Sequence, residues 1–208
     1  MSPEVPPSAI PGPSESIQLG KYAIHELLGT GGMAEIYRAS VRGPQGFAKP
    51  VVIKRVKPKF TGERVFVDMF IDEARINAAL DHPNIVSVFD FGERDGNYFI
   101  AMEYIDGIDL QTAHVRHKER HGVPIPWEVS LVVVRDILRA LDFAHNARGA
   151  DGQPLGIIHR DVNLVNVMIR RDGMVKLLDF GCAKASSAIR TTSTLAGVIK
   201  GKIGYMSP

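Results

Sequence analysis

From Ile17 onward, apolar and polar positions first run in short β-like bursts and then change period. The stretches YAIHELLG, EIYRASV and PVVIKRV are short, rich in β-branched and aromatic residues, and separated by Gly or Pro, which predicts three strands. Over residues 65–80, VFVDMFIDEARINAAL, Phe66, Phe70, Ala74 and Ala78 recur every four positions with Met69, Ile76 and Leu80 flanking them. That spacing predicts a helix with one apolar face, ended by Asp81-His-Pro-Asn because proline disfavours helix in the residue before it. IVSVFDFG and NYFIAMEY then read as two strands joined by the turn-forming Asp95-Gly96. After Gly107 the chain turns helical. Pro126 opens a long segment in which Leu131, Val134, Leu138, Leu141 and His145 line one side. The polar, glycine-rich RGADGQPLG at 148–156 reads as a surface loop, followed by short strands at VMI (167–169) and VKLL.

The pattern divides the chain in three. Residues 1–16 hold five prolines and almost no large apolar side chains, too little to offset the entropy of ordering, so they read as a flexible tail. Residues 17–105 form a strand-rich lobe with one helix, and residues 106–208 a helical one, with a hinge near 104–109. There is no internal repeat. Composition narrows the class further. Lys plus Arg number 25 against 23 Asp plus Glu, which gives no reason to expect nucleic acid or an anionic membrane as partner. No apolar run reaches the roughly 18 residues of a membrane helix. The single cysteine, Cys182, excludes an internal disulfide, so a cytoplasmic setting is expected.

Three constellations carry chemistry. In LGTGGMAEIY, Gly29 and Gly31 sit where missing Cβ atoms let backbone N–H groups approach phosphates, or where a hairpin needs positive φ. Lys54, on the otherwise apolar strand VVIKRV, can reach the same phosphates, with Glu73 on the helix to hold its ammonium; read alone, it is as well explained by a solvated strand face. The third constellation is HRDVNLVN at 159–166 with KLLDFG at 176–181. Asp161 can take a proton from an attacking hydroxyl, while Asn166 and Asp179 offer the hard oxygen ligands Mg²⁺ prefers. HRD, Asn166 and DFG at fixed spacing agree by chance about once in ~10⁹ starting points, which excludes coincidence.

From about Tyr22 to Pro208 the chain resembles a bacterial Hanks-type, eukaryotic-like Ser/Thr protein kinase. GGMAEIY, HRDV and YMSP look like bacterial members, and the 148–156 insert before GIIHRDV resembles kinases of myxobacteria-like organisms. The resemblance implies an α+β, two-lobed kinase fold, a β-rich N-lobe with one helix and an incomplete helical C-lobe. It implies ATP and Mg²⁺ as cofactors and Ser/Thr hydroxyls of proteins as substrates. Leu28, Gly29, Thr30, Gly31, Gly32, Met33, Ala34, Glu35 and Ile36 would cover the phosphates, and Lys54, held by Glu73, would grip the α/β pair. Glu103 and Ile105 would meet adenine, with Met102 as gatekeeper. Asp161 would be the catalytic aspartate, Asn166 and Asp179 the magnesium ligands, and His159 and Phe180 part of the spine joining the lobes.

The chain departs from the family at Asn163, Leu164 and Val52, where Lys, Pro and Ala are usual. Lys202 stands where the family has a threonine near Asn163, so Lys202 is expected to supply the charge that Asn163 lacks. Thr191, Thr192, Ser193 or Thr194 is expected to be phosphorylated, by an activating kinase or by the protein itself, with Arg160 as the phosphate's partner. GYMSP closes the activation segment, and a chain stopping there is expected to leave apolar faces uncovered, with little activity and a tendency to aggregate. Two other readings stay open: a nucleotide-binding kinase fragment or pseudokinase acting by binding, and a small-molecule kinase, against which DFG and YMSP both weigh.

Overall fold

The computed structural model of the chain describes residues 17–180. Lys202 and the hydroxyl cluster at 191–194 lie outside the described residues. A six-stranded antiparallel sheet comes first, built from β1 (Ile17–Leu19), β2 (Tyr22–Thr30), β3 (Ala34–Arg42), β4 (Ala48–Val56), β5 (Val88–Arg94) and β6 (Asn97–Glu103). Their spatial order is β1-β2-β3-β4-β6-β5. The β5–β6 hairpin turns at Asp95 (φ 51°) and Gly96 (φ 74°). Two successive positive φ values match the right-handed twist of the strands, which is why Asp-Gly works there.

Helix α1 (Arg64–Ala78) packs on this sheet. Its buried side includes Val67, Phe70, Glu73, Ala74 and Asn77, whereas Ala78 is exposed. The period-four row expected from apolar positions is therefore rotated. Glu73 can enter the interior because it meets Lys54, and Asn77 because its Nδ2 donates to the Glu73 carbonyl at 2.8 Å, although its buried Oδ1 has no hydrogen-bond partner among the described residues.

The second part begins with β7 (Gly107–Asp109), a strand where helix was expected, followed by α2 (Leu110–His121) and α3 (Trp127–Asn146). Strand β7 pairs with β8 (Val167–Arg170), which pairs with β9 (Val175–Leu177). The link after α1 ties the lobes together. Val86 N donates to Leu177 O at 3.0 Å, and Leu177 N donates to Asn84 O at 2.8 Å. Ile76, Ile85, Ile157, Leu177 and Phe180 thereby share one core cluster.

Helix α3 buries a different side from the one its large residues suggest. Val133, Asp136, Ala140 and Ala144 are buried, with Ile137 and Leu141 packed against the same cluster, while Leu131 and Leu138 are 56% and 59% exposed. The alanines let α3 approach closely, and Asp136 tolerates burial by pairing with Arg135 at 2.9 Å. The 148–156 loop lies at the surface as expected, apart from one residue. An Arg148–Pro154 bridge folds it back so that Leu155 sinks into the core. No helix among the described residues is long and apolar enough to cross a membrane.

Gly107 is forced by close packing. A Cβ there would stand 2.1 Å from the Ile169 carbonyl oxygen across the β7–β8 pair. Gly107→Ala is expected to destabilise the fold by about 1–3 kcal/mol, read as a lowered denaturant midpoint. An unchanged midpoint would show that β7 and β8 do not pair this closely.

Candidate active site

The site assembles where the two sheets face each other. Strand register places Lys54 opposite Ile36 on one side and Ile100 on the other, so its side chain points to the face covered by α1. Lys54 Nζ donates to Glu73 Oε1 at 2.5 Å and to Asp179 Oδ1 at 3.0 Å. Burial alone would lower the lysine's pKa, but attraction to Glu73 and then Asp179 outweighs it, so the net shift is upward and the ammonium stays charged.

The catalytic-loop residues converge on Asp161. Asn163 Nδ2 donates to Asp161 Oδ1 at 3.1 Å, and Asn166 Nδ2 donates to Asp161 Oδ2 at 3.1 Å. Both amides also donate to the Asp161 carbonyl, at 3.0 and 2.8 Å. The carboxylate is thus held with one amide on each oxygen. Below it, Asp161 N donates to His159 Nδ1, which makes Nε2 the donor to Leu178 O at 2.8 Å. Burial lowers the His159 pKa, so the ring is neutral, and it packs 4.4 Å from Phe180 between centroids. Arg160 (φ 67°), which precedes Asp161, and Asp179 (φ 59°) itself take left-handed backbone. Such conformations cost of order 1 kcal/mol and collect at functional sites.

A cavity of about 560 Å³ runs from this cluster to the segment leaving β6. Leu28, Gly29, Ile36, Val52, Lys54, Glu73, Met102, Glu103, Ile105, Asn166 and Asp179 all line it. The remaining glycine-rich positions, Thr30, Gly31, Gly32, Met33, Ala34 and Glu35, are not among the lining residues. Ala34 is buried in a core cluster with Val56 and Phe70, and Glu35 turns away to pair with Arg55 at 2.9 Å.

Gly29, Gly31 and Gly32 have no positive φ, so the hairpin backbone does not demand glycine. A Cβ on Gly29 or Gly32 would enter open space. What glycine leaves at positions 29 and 32 is room for a close approach to the backbone, while the Gly31 N–H donates to the Ala34 carbonyl at 2.8 Å.

A protein kinase domain model matches residues 22–208. The chain belongs to the protein kinase family. It is 46% identical over 190 residues to the tyrosine-protein kinase MasK of Myxococcus xanthus, covering 91% of this chain and 29% of that protein. The serine/threonine-protein kinase PrkC of Bacillus subtilis is 34% identical over 189 residues, covering 91% of this chain and 26% of its own. The crystal structure of the Mycobacterium tuberculosis PknI kinase domain superposes with a TM-score of 0.61 at 34% identity, over 81% of this chain and 63% of that one. The chain spans less than a third of the curated relatives it matches.

Several residues of this kinase cleft carried no local signal in the sequence. Met168 and Leu178 line the cavity from β8 and from the end of β9, and Thr112 and Arg116 line it from α2. Lys176 is buried, donating to Glu103 Oε2 at 2.8 Å across 73 residues of sequence, and so ties β9 to the hinge.

Burial pushes the Glu73 carboxyl up to about 7, against the downward pull of Lys54. A carboxyl raised by folding binds its proton more tightly folded than unfolded. This group's contribution to stability therefore declines as pH climbs from the ordinary carboxylate range to about 7, while ionisation over the same window strengthens its hold on Lys54. ATP affinity is expected to rise with pH up to about 7 and then level off. Glu73→Gln should flatten that limb and weaken binding roughly 10- to 100-fold. Calorimetric titration across pH 5.5–8.5 checks this, and an unchanged slope in the variant would contradict it.

Proposed function

We propose that this chain is the nucleotide-binding and catalytic part of a protein kinase that transfers the γ-phosphoryl group of ATP to Ser or Thr hydroxyls of proteins. The observation that carries the reading is the joint placement of Lys54, Glu73 and Asp179 at one end of an open cavity, beside an Asp161 held by two amides. A pseudokinase reading is weaker, because Lys54, Glu73, Asp161, Asn166 and Asp179 are all present in an arrangement that fits the chemistry.

The residues present fit Mg-ATP. Asn166 turns its Nδ2 to Asp161, leaving Oδ1 for a cation, and Asp179 adds a carboxylate. Two such ligands suit Mg²⁺, which completes its shell with waters and phosphates. Asn166 and Asp179 would hold that ion, which when bound spreads the charge of the phosphates. Lys54 would bind the phosphate oxygens, with Glu73 keeping its ammonium aimed. Asp161 accepts the substrate hydroxyl's proton as the hydroxyl oxygen bonds to the γ-phosphorus. The bond to the β-phosphate oxygen breaks, and ADP leaves with that electron pair. Asn163 contributes no charge. Its amide holds one oxygen of Asp161 while Asn166 holds the other, fixing the orientation of the carboxylate. A reaction that consumes ATP fits a cytoplasmic setting.

The name of the Myxococcus relative favours a second reading, in which tyrosine is the acceptor. Phosphoamino-acid analysis of a protein substrate labelled with γ-³²P-ATP separates the two. Phosphoserine and phosphothreonine are expected, and phosphotyrosine alone would establish the second reading. Asp161→Asn should lower kcat by about 10²–10⁴-fold with little change in ATP affinity. Unchanged turnover would remove Asp161 from its assigned role.

A further inference from the structure

Helix α2 is strongly basic. His114, Arg116, His117, Lys118, Arg120 and His121 face a single acid, Glu119. Of these residues only Arg116 lines the cavity. It is exposed, and among the described residues it has neither an ion-pair nor a hydrogen-bond partner. The acid that caps the start of the helix, Asp109, is already engaged: its two oxygens accept from Thr112 N at 2.8 Å and from Thr112 Oγ1 at 2.6 Å.

The nucleotide's charge does not explain Arg116. Lys54 stands opposite Ile100 in the β4–β6 register, and Glu103 lies three residues further along β6, about 10 Å at ~3.3 Å per residue. The triphosphate is drawn to the Lys54 ammonium, whereas Thr112 and Arg116 of α2 line the cavity from the side of the segment leaving β6. An anion meeting Arg116 must then belong to the second substrate.

The surface between Arg116 and Asp161 has a distinct character. Helix α2 lies beside the Leu164–Asn166 turn of the catalytic loop. Leu164 and Val165, the two residues between Asn163 and Asn166, are each 37% exposed, and Val165 lines the same cavity as Arg116. Two apolar side chains therefore flank the proton acceptor, with a guanidinium on the helix beyond them.

Resting on the protein-kinase reading above, we propose that Arg116 and the Leu164–Val165 pair form a substrate-recognition subsite. It selects an acidic side chain on one flank of the acceptor hydroxyl, next to an apolar residue, and disfavours basic flanks. Charge complementarity supplies the choice: a carboxylate gains a partner on α2, while a lysine or arginine meets a helix face carrying its own sign.

The test is an acceptor-centred peptide library phosphorylated by the full-length protein with Mg-ATP. Asp or Glu is expected to be enriched on one side of the acceptor. Arg116→Glu should lower kcat/KM for the acidic peptide about fivefold, through KM rather than kcat, and raise it for the matching basic peptide. Arg116→Lys should retain most of the preference, and raising salt should erode it. Transfer to the library with no acidic preference, or a preference that Arg116→Glu leaves intact, overturns the subsite while sparing the kinase reading. An effect of Arg116→Glu on KM for ATP alone assigns the guanidinium to the nucleotide and also overturns it. Absence of transfer to any peptide or protein overturns the kinase reading and the subsite together.

Discussion

A lysine ammonium buried between a sheet and a helix is the constraint that the rest of the cleft obeys. Lys54 is 8% exposed and Glu73 4%. Leaving either charge unpaired there would cost several kcal/mol. The pair therefore fixes where α1 sits against β4, and with it the height of the cavity. Asp179 is drawn into the same cluster from a distant part of the sequence, so the turn proposed to hold the metal is located by a charge on the opposite lobe. Because the lysine needs Glu73 and Asp179 together, the charge arrangement that suits phosphates is already assembled in the protein alone.

The second lobe meets this cluster through backbone bonds and buried side chains. The link after α1 pairs with β9, and β9 leads through Leu178 into Asp179. Lys176, buried on β9, reaches the hinge at Glu103. The lysine that holds the hinge's carboxylate thus lies on the strand that leads into Asp179. On the catalytic loop the amide pair of Asn163 and Asn166 replaces a charged neighbour with two neutral donors, which orients Asp161 without pulling its negative charge toward a cation.

What was legible in the sequence was whatever chemistry forces by residue type. HRD, Asn166, DFG, Lys54 and Glu73 are residue types that few others could replace in the proposed chemistry, and their spacing exposed them. The strands were legible because β-branched bursts ended at Gly or Pro. Helix faces were not. On α1 the buried side includes Glu73 and Asn77, which any apolar count assigns to solvent. On α3 the buried side is made of Ala140, Ala144 and Asp136, while the larger Leu131 and Leu138 point outward. Size predicts burial poorly where close approach of a helix is what packing requires. Arg116 and Lys176 were invisible for another reason: their meaning lies in contacts across folded distance, and no local pattern encodes those.

The central claim is that Lys54 and Glu73 act on nucleotide as one unit. A double-mutant cycle with Lys54→Met and Glu73→Gln, read as Mg-ATP affinity, tests it most directly. The account predicts strong non-additivity, with the double variant little worse than Lys54→Met alone and a coupling above about 1 kcal/mol. Additive losses would contradict it, because Glu73 would then be contributing to binding by a route that does not pass through Lys54.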